Sequence, residues 1–165
     1  MQKLPLLKNL TTVLLLCTGA FVAFAIPFFF MAIFMPDKIP FKVNDNIVTD
    51  FAIEDYILLA FNILAVAFYA YALYLFKDVL TALSKKRLFA NEVIRNLDQA
   101  GKAVLIGFAV YVVPEFLYTS IFESSFSISL GFDSLFTPMV GLFLIVLSEV
   151  FLTAKSLKDE NDLTV

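Results

Sequence analysis

Residues 10–35 carry no charged side chain, and an apolar run of this length has few ways to fold. About 20 consecutive apolar residues suffice to cross the hydrocarbon of a bilayer. In lipid only a helix or a closed barrel satisfies every backbone polar group. The run follows Lys3 and Lys8 like a secretory leader. It is too long for a leader's apolar region of about 7–15 residues, and no small-x-small cleavage site precedes Pro36. It reads as a retained membrane helix.

Three further runs have the same character, and the spans are expected at about 10–35, 57–76, 103–121 and 138–154. Pro27 predicts a kink or local break near 23–27, because proline removes one helical hydrogen bond. The chain is 61% hydrophobic and contains 20 phenylalanines. A water-soluble core of 165 residues cannot hide that many rings. The fold class is therefore an all-α membrane protein, a four transmembrane helix bundle forming one domain over residues 1–165.

Lysine and arginine orient the spans, since short cytoplasmic loops collect them. Lys3 and Lys8 precede the first span. Lys77, Lys85, Lys86, Arg87, Arg95 and Lys102 lie between the second and third, and Lys155 and Lys158 follow the fourth. Only Lys38 and Lys42 fall on the other side. This puts both termini, the 77–102 loop and the 155–165 tail in the cytoplasm of a bacterial inner membrane. Loops 36–56 and 122–137 are then outside. The outer side holds Asp37, Asp45, Asp50, Glu54, Asp55, Glu123 and Asp133. They read as a solvated loop surface or as a cation site, although they lack calcium-loop spacing.

Two outer segments carry strand signals. Phe41-Lys42-Val43 and Ile47-Val48-Thr49 flank the turn-rich Asn44-Asp45-Asn46, predicting a short hairpin. Residues 125–132 alternate polar and apolar side chains with period two. Pairing of the two segments would make a small β cap; an irregular loop dipping phenylalanines into the interface fits equally. On the cytoplasmic side the second helix is expected to continue to about Ser84. The third is expected to start near Asn91, with Asn91 as its N-cap and Glu92 in its first turn.

Composition removes much chemistry. There is no histidine, which excludes most haem, zinc and Ser-His or Cys-His sites. The single cysteine, Cys17, allows no internal disulfide and reads as a small apolar residue. A net charge of −3 argues against direct nucleic-acid binding. No catalytic residue, metal or cofactor is expected, and the chain is not read as an enzyme.

The intramembrane polar candidates are Glu115, Glu149, Tyr69 and Tyr71. Glu149 lies about 9 Å inside the cytoplasmic edge if Lys155 marks that edge. Glu115 follows Pro114 in the outer half of its span. Ionisable residues within spans are functional candidates by default; a kink or an interhelical hydrogen bond is the structural alternative. Tyr69 and Tyr71 need hydrogen-bond partners at their depth, and Glu149 is a candidate. Gly101, Gly107 and Gly141 permit close helix contact without forming a GxxxG motif.

Ser148-Glu149-Val150-Phe151, followed by Leu157-Lys158-Asp159-Glu160-Asn161-Asp162-Leu163-Thr164-Val165, closes the chain. This end resembles the C-terminal signature of the bacterial membrane family catalogued as domain of unknown function 2975. Phe89, Asn91, Val93, Leu97 and Gly101 resemble that family's middle loop. The Thr153-Ala154-Lys155 joint departs from its more basic, glycine-containing pattern. The resemblance implies four-helix membrane proteins, often encoded beside a very small helix-turn-helix regulator. A regulatory or sensory membrane protein acting with such a cytosolic DNA-binding partner is therefore the leading expectation. Docking would use Lys85, Lys86, Arg87, Phe89 and Asn91 of the loop and Glu160, Asn161, Asp162 and Leu163 of the tail. The acidic tail could also latch onto the basic loop of its own chain. The alternative is a small transporter or channel subunit using the intramembrane glutamates. The lipid bilayer is the expected surrounding of such a chain, and homo-oligomers are compatible with it.

Overall fold

The computed structural model describes residues 3–35, 41–43, 46–48, 52–122 and 132–163. Four helices dominate: α1 Lys3–Phe34, α2 Ile53–Ser84, α3 Asn91–Phe122 and α4 Phe132–Leu163. Each has 32 residues, about 48 Å at 1.5 Å per residue. All four contain stretches long and apolar enough to cross a membrane. Threonine hydroxyls inside them donate back one turn, as from Thr11 to the Leu7 carbonyl at 2.9 Å and from Thr18 to Leu14 at 2.8 Å. That contact satisfies the hydroxyl within its own helix.

Pro27 lies inside α1, which continues to Phe34 as one helix. The helix does not break near 23–27, since local adjustment and a neighbouring helix can accommodate the one missing backbone bond. Pro114 and Pro138 likewise sit within α3 and α4.

The strands β1, Phe41–Val43, and β2, Asn46–Val48, pair antiparallel with Phe41 opposite Val48 and Val43 opposite Asn46. This is the expected hairpin, with Asn46 in the second strand rather than in the turn. Residues 125–131 and any pairing of that segment lie outside the described residues.

The helices form an open row. Among the described residues α1 packs on α2, α2 on α3 and α3 on α4, and no other pair meets. Packing is densest at the basic end of the row. There Leu75 and Val79 of α2, Val93, Leu97 and Ala100 of α3 and Leu144 of α4 form one core. Towards the other end, large apolar side chains point outward along every helix.

α2 ends and α3 begins where the sequence places them. The reversal uses two crossed hydrogen bonds, Arg87 N–H to the Ala82 carbonyl at 3.1 Å and Lys86 N–H to Leu83 at 3.0 Å. This Schellman arrangement needs a left-handed residue, and Lys86 supplies it with φ of 59°. At the start of α3 the Ala90 carbonyl accepts the first bonds, from Val93 and Ile94. Ala90 is therefore the N-cap, and the Asn91 side chain is released for another contact.

Side-chain contacts fix the relative depth of the helices. The Tyr56 hydroxyl donates to the Ala32 carbonyl at 3.0 Å, and Tyr118 donates to Asp55 at 2.8 Å. Gly107 abuts Tyr69 and Phe68. These contacts align α1, α2 and α3 end to end. α4 is displaced: Gly101 near the start of α3 touches the Gly141 carbonyl and Ile145. That register slides α4 towards the basic end by roughly ten residues, about 15 Å.

Candidate functional site

Two regions gather the polar side chains. The first is the α2–α3 joint towards the β-hairpin end. Glu54 and Asp55 occupy the first turn of α2, where carboxylates favour the helix dipole. Asp55 accepts the Ala52 backbone N–H at 3.0 Å with one oxygen and the Tyr118 hydroxyl at 2.8 Å with the other. It thereby caps one helix and ties it to the next. Deeper in the joint, Tyr69 rests on Gly107 and lies close to Tyr111, whose hydroxyl hydrogen-bonds Glu115 one turn further on.

The sequence offered Glu149 as the partner of Tyr69 and Tyr71. The structure sets Tyr69 against Gly107 and near Tyr111, and leaves Tyr71 47% exposed. Asp55 and Tyr118 were the pair that sequence reasoning did not connect. An acid in the first turn of α2 and a tyrosine near the end of α3 were the available signal.

Along the same joint runs an open groove of about 560 Å³. Its walls are apolar, including Ile57, Phe61, Val113 and Leu117. Glu54 stands at its outer end and Pro114 in its wall. Proline has no N–H, so the carbonyl one turn earlier, Val110 in the same wall, is left without its helical partner. The groove suits a slender apolar molecule whose polar head reaches Glu54.

The second region is the basic end. Phe89 of the α2–α3 turn meets Phe151 of α4 with ring centroids 6.3 Å apart. The Lys155 ammonium donates to the Asn91 side-chain oxygen at 2.6 Å. Sequence reasoning named Phe89 and Asn91 for an external partner; here they clamp α4 to the turn. Lys85, Lys86 and Arg87 are exposed on the turn. Glu160, Asn161 and Asp162 are exposed on the last turns of α4, and Leu163 ends it. The displacement of α4 carries this tail roughly 15 Å beyond the start of α3. Lys102 and Asp98, one turn apart on α3, form a salt bridge at 2.7 Å.

The contact between α3 and α4 also sets the level of Glu149. The Gly101–Ile145 contact sets Glu149 level with about Arg95 of α3, on the basic side of Asp98 and Lys102. Glu149 is exposed. Glu115 and Glu149 are consequently about 30 Å apart along the row.

Four long apolar helices aligned in a row, with charge gathered at one end, define an α-helical multi-pass membrane protein. The match to known families covers α2, α3 and α4. The chain belongs to the family described as Protein of unknown function (DUF2975), whose model matches residues 41–165. No curated protein and no solved structure matches the chain.

Proposed function

We propose that the chain is a regulatory membrane protein of the bacterial inner membrane, coupling a membrane-dissolved ligand to a small cytosolic DNA-binding partner. One observation carries the reading: α4 is a single rod that begins within the apolar layer, is clamped at Phe89–Phe151 and Asn91–Lys155, and projects beyond the turn. A small rotation or slide between α3 and α4 in the apolar layer would displace the projecting tail relative to the basic turn. The α2–α3 groove, with Glu54 at its end, supplies a place for an amphiphile to bias that movement.

Orientation rests on charge. Ten of the twelve lysines and arginines lie at the end bearing the α2–α3 turn, which supports a cytoplasmic position for that end. There the exposed Lys85–Arg87 turn and the acidic tail offer two opposite-sign surfaces to one small protein. The alternative, a small transporter or channel subunit, has less support because Glu115 and Glu149 are about 30 Å apart.

The test is affinity capture of the tagged full chain from detergent-solubilised cells. A small helix-turn-helix protein should be recovered, and recovery should vanish on deleting residues 157–165 while the chain stays in the membrane. Equal recovery without the tail, or no such protein with it, would refute the reading. A reporter fused after Val165 that was active only outside the cell would refute the orientation.

A further inference from the structure

Of the residues lining the α2–α3 groove, Glu54 alone is charged, and it stands at the mouth. Its neighbour Asp55 has a donor on each oxygen, the Ala52 N–H at 3.0 Å and the Tyr118 hydroxyl at 2.8 Å. Glu54 is half-buried and has no such donor among the described residues. The lysines and arginines of the four helices all lie at the opposite end of the row. The mouth of the groove is therefore negative, and its wall is hydrocarbon. An occupant complementary to both carries positive charge at one end and an apolar chain behind it.

The structure also bounds the size of that chain. The Tyr118–Asp55 contact sets the mouth level with Tyr118 on α3. Ala109, at the far end of the groove, is nine residues from Tyr118, about 14 Å along the helix. That is roughly the reach of an extended dodecyl chain. The volume of about 560 Å³ lies within the range of about 300–1,000 Å³ that holds one small ligand.

We infer that the groove takes a single-chain cationic amphiphile, a long-chain primary amine, with its ammonium group at Glu54 and its tail along Phe61, Val113 and Leu117. A long-chain acid would set like charges together at the mouth. A long-chain alcohol would leave Glu54 unmatched. A glycerophospholipid amine would bring its phosphate in beside Glu54 and Asp55, where like charge opposes it. The inference rests on the groove being the ligand site of the regulatory reading, and it names the chemistry of that ligand.

Dodecylamine carrying a diazirine in mid-chain is the probe, with the alcohol and the carboxylic acid of the same chain as comparators. The full chain is held in phosphatidylcholine nanodiscs at neutral pH. On illumination the amine should label peptides containing Phe61 and Val113 roughly fivefold more than the alcohol does. Glu54→Gln should bring the amine down to the level of the alcohol and leave the alcohol unchanged. Val113→Trp should block both probes, and because Val113 is 54% exposed the larger ring fits without disturbing a core. Equal labelling by the three probes, or amine labelling indifferent to Glu54→Gln, would overturn the inference. So would loss of amine labelling when phosphatidylethanolamine replaces part of the disc lipid, since the occupant would then be the bilayer itself. The assay contains no DNA-binding partner, so its failure leaves tail-dependent capture untouched, and failed capture leaves the labelling untouched.

Discussion

Replacing Gly101 by alanine is the sharpest test of the α3–α4 contact. A methyl at Gly101 would lie 2.6 Å from the Gly141 carbonyl oxygen, 2.6 Å from Ile145 Cγ1 and 3.0 Å from the Ile145 nitrogen. Two of these neighbours are backbone, so no rotamer change relieves the overlap and the helices must separate. Overpacking of this kind costs about 1–3 kcal/mol. Alanine also stabilises a helix over glycine by about 1 kcal/mol, which would mask part of the loss. Gly19 provides the reference, since a methyl there meets nothing within 4 Å. Gly19→Ala should keep the propensity gain alone, and the gap between the two variants isolates the clash at about 1–3 kcal/mol. Gly107→Ala should fall between them, because its nearest neighbour at 2.9 Å is the Tyr69 ring, which can turn aside. Thermal unfolding in one detergent, followed by circular dichroism, gives the order Gly19→Ala above Gly107→Ala above Gly101→Ala. If Gly101→Ala unfolds at or above the temperature of Gly19→Ala, the two backbones are not in contact and the displaced register of α4 is wrong.

Tyr118→Phe removes the donor to Asp55 and should lower stability by about 1–2 kcal/mol in the same unfolding assay; an unchanged transition would mean that water serves Asp55 equally well. Lys86→Gly should raise stability by about 1 kcal/mol, since it relieves a left-handed residue that has a Cβ. A lower transition would show that the lysine side chain contributes more than its backbone costs. Phe151→Ala removes the ring against Phe89, and amide exchange over residues 152–163 should accelerate roughly 2- to 10-fold. Unaltered exchange would show that the tail is not held by that clamp.

The four spans were legible because apolar runs of membrane length have no alternative use. The ends of α2 and α3 were legible too, because Ser84 and Asn91 bracket a polar turn in the sequence. The order of packing was not. α1 is apolar on all sides, so no stripe distinguishes the face that meets α2 from the face that meets lipid. The spacing of Glu149 from Lys155 on its own helix says nothing of its level against α3. Its neighbours on α3 set the level instead, and they are brought alongside by a glycine pair whose sequence spacing carries no signal. Asn91 looked like an N-cap by residue type. Ala90 takes that role through its carbonyl, and only the fold brings Lys155 to the freed amide. The Tyr111–Glu115 contact lies one turn apart on one helix and was within reach of spacing alone.

Among the described residues every helix touches only its predecessor and successor in the chain, so the packing of the row is built from neighbouring segments. Each rod leaving the ribosome finds its docking surface already in place on the rod before it, and such short-range connectivity favours rapid assembly. Biogenesis could then proceed as sequential addition, without a holding chaperone to keep early segments apart from later ones.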